Sequence, residues 1–289
     1  MTKRSAKTAL VTGSTDGVGR LVAKKLGEAG LHVFVHGRDR SRGEQVVAEI
    51  RSKRGTADFL RADLSTLRGA RSLAQSVQEE TGRLDVLINN AGIGSGGASG
   101  TRQTSGDGYE LRFAVNYLSG FALTHLLLPL IKASAPARIV NVSSLGQQAI
   151  DFSDVMLKHG YSGTRAYCQS KLAQILFTID LASELEGSGV TVNALHPATY
   201  MDTTMVRQAG IPPTSTVEEG AQAILQLALS PALEGRSGLY FNGIREARAD
   251  RQAYDEEARR RLQAISLELT AADDRGRNVT ERAEPSSSG

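Results

Sequence analysis

The sequence predicts an α/β fold: one Rossmann-type doubly wound parallel sheet of about seven strands, with helices on both faces. Runs such as Ala-Leu-Val at 9–11 and Val-Leu-Ile at 86–88 are continuously apolar rather than alternating, as strands covered on both faces must be. These runs alternate with amphipathic stretches of helical length, so the chain reads as a repeated strand–helix–strand unit. A glycine cluster follows the first run and opens the first helix, which suits a turn that approaches a pyrophosphate.

Strands are expected over 8–12, 32–36, 57–61, 84–88, 138–142 and 191–194. Helices are expected over 18–29, 42–53, 67–81, 109–132 and 165–186, with a polar one near 249–269. Three segments lack periodicity. Residues 92–108 are rich in Gly, Ser and Thr and are expected to form a mobile loop; 146–163 separates a strand from the helix bearing Tyr167; 199–215 holds Pro212-Pro213 and is expected to form a flexible cap. No composition shift marks a second domain. Residues 1–273 are expected to form one dinucleotide-binding and catalytic domain, and the polar end 274–289 a disordered tail.

Composition narrows the function. The chain of 289 residues is 40% hydrophobic and 22% charged, with a net charge of +3 spread along its length, so no nucleic-acid footprint is expected. The single cysteine, Cys168, allows no internal disulfide, and the apolar run after the basic start ends at Gly13, too soon for a signal peptide. Residues 121–131 are too short to span a bilayer and include His125 and Pro129. A cytoplasmic protein with no membrane span is expected, and no metal-ligand spacing is visible.

The chemistry is carried by a series of short motifs. Thr12-Gly13-Ser14-Thr15-Asp16-Gly17-Val18-Gly19 stands between the first strand and the first helix, whose N-terminal N–H groups would face a phosphate. The second strand ends in Gly37-Arg38-Asp39; an arginine there suits a 2′-phosphate and favours NADP, while Asp39 keeps NAD open through the ribose hydroxyls. After the third strand, Asp63-Leu64 suits the adenine amino group, although Asp63 equally suits a helix cap. Asn90-Ala91-Gly92 ends the fourth strand with small residues against which a cofactor can lie. The fifth strand ends in Ser143-Ser144, placing a hydroxyl at the same sheet edge. Tyr167 and Lys171 are four residues apart, about one helical turn, so they share a face. A phenol titrates near ~10, and an adjacent ammonium is expected to draw it toward neutrality, making the pair a proton-transfer device.

Thr-Gly-x-x-x-Gly-x-Gly, Asn-Asn-Ala-Gly, Asn116, Val-Ser-Ser, Tyr-x-x-x-Lys and His196-Pro197, in that order over 6–245, resemble the short-chain dehydrogenase/reductase family. The run Ala-Tyr-Cys-Gln-Ser-Lys-Leu-Ala-Gln-Ile-Leu-Phe is similar to its retinol dehydrogenase-like branch, which includes carbonyl reductases. The resemblance implies that Tyr167 exchanges a proton with a carbonyl or alcohol oxygen and that Lys171 supports it and bonds the nicotinamide ribose. It implies that Ser144 holds the substrate oxygen, with Ser143 second, and that Asn116 supports a water relaying protons through Lys171. Pro197 and one of Thr199, Thr203 and Thr204, with Thr203 preferred, would contact the nicotinamide end; Ala198 departs from the family's usual glycine and leaves the threonine open. A homo-oligomer packed through the long helices is implied too, unless the C-terminal helix obstructs it, so dimer, tetramer and monomer stay open.

The expected function is hydride transfer between NADP, or NAD, and a small-molecule carbonyl or alcohol. Met201, Met205, Ile211 and Pro212 suggest an apolar lid suited to a lipophilic or polycyclic ketone. Two rivals use the same fold: a non-catalytic dinucleotide-binding regulator, and an epimerase or dehydratase that retains its cofactor.

Overall fold

The computed structural model describes residues 6–96 and 101–280, with side chains described as far as Ala271. The first half alternates strictly: β1 (Thr8–Val11), α1 (Gly17–Glu28), β2 (His32–Gly37), α2 (Arg40–Ser52), β3 (Thr56–Arg61), α3 (Leu67–Glu80) and β4 (Val86–Asn89). A π-helical turn (Phe113–Leu118) then runs into α4 (Ser119–Ala133), followed by β5 (Ala137–Val142), α5 (Gly163–Glu184) and β6 (Val190–His196). The remainder is α6 (Thr204–Gln208), α7 (Val217–Leu229), β7 (Tyr240–Asn242), β8 (Arg245–Ala247) and α8 (Glu256–Thr280).

The strands form one sheet in the order β3-β2-β1-β4-β5-β6-β7-β8, parallel throughout except for the antiparallel β8. The expected doubly wound sheet is therefore present with eight strands. The two short last strands have too few residues for their pattern to register, and β8 is a polar edge. The order reverses between β1 and β4, and the crevice at such a switch point is where ligands bind in this architecture.

Two hydrophobic layers explain why both sheet faces are apolar. Val22, Leu26, Val46, Ile50, Ile224 and Leu227 cover one face from α1, α2 and α7. Leu73, Val77, Leu123, Leu127, Leu172 and Leu176 cover the other from α3, α4 and α5. Each such side chain taken fully out of water contributes about 1.5–3 kcal/mol.

The helix expected over 109–132 starts later and contains the π turn, which carries Asn116 and Tyr117. Because the turn is continuous with α4, Phe113–Ala133 makes a 21-residue helix of mean hydropathy 1.5, long and apolar enough to cross a membrane by length and composition. The shorter segment considered from sequence underestimates it. In the fold 67% of its most apolar window is buried, and Phe121, Leu123, Leu127 and Ile131 fill the core.

Of the 92–108 loop, 97–100 lie outside the described residues; Thr104 bridges Glu110, folding 101–110 into a turn. The expected tail overlaps α8 as far as Thr280, and 281–289 lie outside the described residues. Within α8, Ala258, Leu262 and Ser266 recur every fourth residue and form its buried stripe. The helix is pinned by an ion pair from Arg259 Nε to Asp180 Oδ1 at 2.7 Å and a buried hydrogen bond between the Tyr117 and Ser266 hydroxyls, also 2.7 Å. Leu262→Ala is expected to destabilise the fold by about 2–5 kcal/mol, read from chemical denaturation; an unchanged midpoint would show that α8 is not docked on α5.

Candidate active site

The glycine turn is built by close approach. A Cβ on Gly13 would stand 2.9 Å from the Ala91 Cα, and one on Gly19 would stand 2.5 Å from the Gly13 carbonyl oxygen. Gly13 and Gly17 also adopt left-handed φ values of 64° and 50°. Asn90 fastens this turn to the end of β4, its Nδ2 donating to the Thr12 and Gly13 carbonyls at 2.8 and 3.1 Å. The Ala91 amide donates to Thr12 Oγ1 at 3.0 Å, so Asn90-Ala91-Gly92 and the glycine turn form one platform. Ser14 is fully buried and accepts the His36 amide at 2.9 Å, so its side chain braces the turn from below. The Gly13 amide donates to His36 Nδ1 at 3.0 Å; burial pushes His36 down to about 4.

Asp16 caps α1, accepting the Gly17 amide at 2.8 Å, and pairs with Arg42 at 3.0 Å. Burial pushes its pKa upward, but hydrogen bonds from Thr204, Arg42 and Gly17 hold the carboxyl below the usual carboxylate range. Through Thr204 the turn meets the 199–215 segment, and the Thr203 methyl stands 3.2 Å from where a Gly17 Cβ would lie. Val18 packs in the layer beneath.

At the adenosine end, Asp39 is engaged as the cap of α2, accepting the Arg42 amide at 3.1 Å. A Cβ on Gly37 would lie 2.5 Å from the Thr15 methyl, which excludes an acid at that point. Among the described residues, Arg38 has an exposed guanidinium with no hydrogen-bond or ion-pair partner. Asp63 does not cap α3: Thr66 does, accepting the Gly69 amide at 3.1 Å, while Asp63 Oδ1 accepts the Ser65 amide at 3.0 Å from an exposed position. Leu64 is buried behind it.

The proton-transfer group sits on α5. Ser143 Oγ donates to the Lys171 carbonyl at 2.6 Å, tying α5 to β5 and turning Ser143 away from the cleft. Ser144 is the hydroxyl beside Tyr167: its Oγ accepts the Gly146 amide at 3.0 Å, and a Cβ on Gly146 would stand 3.5 Å from that oxygen and 3.6 Å from Tyr167 Cε1. Lys171 is 5% exposed, and its Nζ donates to the Val142 carbonyl at 2.9 Å and to Gln174 Oε1 at 3.1 Å. It lies 5.9 Å from the Tyr167 ring centroid. The expectation that lysine draws the phenol down is corrected. Burial pushes Tyr167 up, the Ser144 hydrogen bond opposes this, and Cys168 and Tyr200 add to the rise. Burial also pushes Lys171 down to about 7, weakening the ammonium expected to act on its neighbour.

Asn116 ties the 92–96 segment to α5, and a Cβ on Gly92 would stand 3.3 Å from its Oδ1 and 3.4 Å from Lys171 Nζ. Its Oδ1 accepts the Ile93 amide at 2.7 Å, and its Nδ2 donates to the Ile93 carbonyl at 3.1 Å and to Ser170 Oγ at 3.0 Å. Pro197 follows His196, whose Nε2 lies 3.1 Å from Thr199 Oγ1; Thr203 caps α6. Burial, then the charge of Lys171, push His196 down to about 4. Met201 departs from the expected lid: its sulfur lies over Gly220, and the side chain packs against the layer that contains Val18. Met205 touches Gly94 instead, and Leu145, Tyr200 and Met205 stay 53%, 48% and 39% exposed around the cleft. Leu145, Tyr200 and Gln174 were not read as site residues from sequence, because their significance depends on where the cap and Lys171 fall.

A short chain dehydrogenase family model matches residues 7–212. The chain belongs to this family. It is an NAD(P)-dependent oxidoreductase of the retinol dehydrogenase-like branch. It is 40% identical over 285 residues to mouse retinol dehydrogenase 13, covering 91% of this chain and 83% of that protein. It is 40% identical to human retinol dehydrogenase 11 over 276 residues, covering 91% and 85%. Among solved structures, the Pseudomonas aeruginosa RhlG/NADP active-site complex superposes with a TM-score of 0.68 at 31% identity, covering 82% of this chain and 94% of that one. Landomycin C-6 ketoreductase LanV with bound NADP and rabelomycin superposes with a TM-score of 0.65 at 27% identity, covering 83% and 95%.

The buried lysine carries a stability signature. Its pKa is 10.5 in an unstructured chain and about 7 in the fold, so between those values the unfolded chain binds a proton that the native one lacks. Native stability should therefore rise with pH across that window, and the term is constant below about 7. Lys171→Met removes the term. The melting temperature of the natural protein should gain on that of the variant from pH 7 to pH 10; parallel curves would contradict the burial of the amine.

Proposed function

We propose that the protein is an NADP(H)-dependent carbonyl reductase acting on lipophilic or polycyclic ketones and aldehydes, with Tyr167 as the proton donor. The observation that carries this reading is the grouping of Ser144, Tyr167 and a buried Lys171 at the strand ends facing the glycine platform: a Cβ on Gly146 would stand 3.5 Å from Ser144 Oγ and 3.6 Å from Tyr167 Cε1, and Lys171 Nζ lies 5.9 Å from the Tyr167 ring centroid. A bound nicotinamide supplies the hydride. Ser144 orients the carbonyl oxygen, and Tyr167 delivers a proton as negative charge develops there. Lys171 would bond the ribose of a bound nicotinamide nucleotide and, when charged, would stabilise the phenolate left on Tyr167. The raised Tyr167 pKa keeps the phenol protonated, which suits reduction.

The platform of Gly13, Gly17, Gly19 and Asn90-Ala91-Gly92 supports a pyrophosphate site, because glycines at 13 and 19 let the turn close against Ala91 and Asn90 and bring the N-terminal N–H groups of α1 to the sheet edge. The unpaired Arg38, with Asp39 engaged as a cap and Gly37 closed to an acid, favours a 2′-phosphate over free ribose hydroxyls. Asp63 supports the adenine, and Pro197, Thr199 and Thr203 the nicotinamide end. Leu145, Tyr200 and Met205 give the mouth an apolar rim suited to a lipophilic substrate. The names of the relatives, retinol dehydrogenases and a ketoreductase bound to rabelomycin, point the same way.

We take the protein to act in the cytoplasm as a monomer. Phe113–Ala133 is largely core, and α8 covers α5, where pairing through the long helices would occur. Light scattering should return the monomer mass; a stable dimer would reverse this assignment.

Tyr167→Phe should lose roughly 10²–10⁴ in kcat while binding NADPH normally by fluorescence titration. Near-normal turnover would refute the mechanism. Arg38→Ala should raise KM for NADPH about 10- to 100-fold and leave KM for NADH unchanged; equal effects on both would remove the 2′-phosphate assignment.

A further inference from the structure

Lys171 has three N–H donors. Two are committed inside the fold, to the Val142 carbonyl at 2.9 Å and to Gln174 Oε1 at 3.1 Å. On the cleft side, a Cβ built on Gly92 would stand 3.4 Å from Nζ, so only the absence of a side chain there keeps the amine's outer face open. Asn116, to which the family resemblance assigns a proton-relaying water, bonds Ile93 and Ser170 and donates nothing to Lys171.

We propose that Gln174 is the positioning residue of Lys171: its side-chain oxygen and the Val142 carbonyl fix two N–H groups and aim the third at the cleft. Gln174 is 4% exposed, and its own backbone is braced by a polar chain. Asn89 Nδ2 donates to Asn141 Oδ1 at 2.9 Å, Asn141 Nδ2 donates to Thr178 Oγ1 at 2.8 Å, and Thr178 Oγ1 donates to the Gln174 carbonyl at 2.7 Å. The chain crosses from β4 through β5 to α5, so the glutamine is held by the same sheet ends that carry the site.

A neutral amide oxygen at this place has a specific consequence. It stabilises the ammonium by one hydrogen bond without adding a full countercharge, leaving the amine able to lose its proton near working pH. The titratable groups facing Lys171 are Tyr167 from its own helix and His196 from β6, which is neutral above about 4. β5 offers the Val142 carbonyl and the end of β4 the Gly92 backbone; no carboxylate among the described residues shifts Lys171.

The proposal rests on Lys171 assisting Tyr167, and its test has two readouts. The first is the pH dependence of the melting temperature of the free protein; the second is the pH profile of kcat for carbonyl reduction with NADPH. Gln174→Glu should move the lysine-linked step in both curves up by about one to two pH units, and Gln174→Leu should move it down by a similar amount. Gln174→Asn, one methylene shorter, should fall nearer Leu than Gln in both curves. Lys171→Met should abolish the step in the melting curves whichever residue occupies 174. If Gln174→Leu does not fold, the Glu variant decides alone. Variants that lower kcat or the melting temperature equally at every pH, with no step displaced, would make Gln174 a packing residue and overturn the proposal. Retained turnover in Tyr167→Phe would instead defeat the proton-donor reading, leaving the melting-curve result to stand by itself.

Discussion

Holding a primary amine inside the fold with no carboxylate beside it is the constraint on which the rest of the site depends. Removing an ion from water costs several kcal/mol even after relaxation, and a carboxylate partner would offset that cost but fix the charge. The protein supplies neutral oxygens instead, from Val142 and Gln174, and lets the lysine titrate near neutrality. Neutral acceptors hold only if they cannot drift. Ser143 locks α5 to β5 through the Lys171 carbonyl, Ser170 joins α5 to the π turn, and Asn141 joins β5 to Thr178. Each of these bonds is buried, where loss of one partner leaves an unsatisfied group worth about 1–3 kcal/mol.

The cofactor half of the cleft follows a different logic, built on backbone proximity rather than on buried side chains. The glycines bring the turn against Ala91 and Asn90, and Asp16 joins that turn to α2 and to the cap. A carboxylate so near the proposed phosphate site is tolerable because Arg42 offsets its charge and the Gly17 amide bonds it. The cap therefore rests on the glycine turn through Thr203 and Thr204 while its outer residues, Tyr200 and Met205, face the substrate side.

Much of this was legible in the residues and some was not, for physical reasons. The inner strands were readable because burial on both faces demands an unbroken apolar run, as at Ala9–Val11. The glycine turn was readable because close approach admits one residue type. β7 and β8 were missed because three residues carry no period. The π turn was missed because Phe-Ala-Val-Asn-Tyr-Leu has no local mark of a widened helix. The direction of the Tyr167 shift was misread because spacing reveals a neighbouring lysine but not the burial that both residues share. Met201 was assigned to the lid on its composition alone, whereas packing over Gly220 sets it half-buried against the hydrophobic layer.

Tyr117 adjoins Asn116 in the π turn, yet its hydroxyl reaches the opposite way, to Ser266 on α8. The rear helix and the front of the cleft thus share a single turn of backbone. A change at the back of the molecule, made for solubility or arising by drift, has a short mechanical route to the loop at Ile93. Selection on turnover can consequently reach a surface that no substrate ever meets.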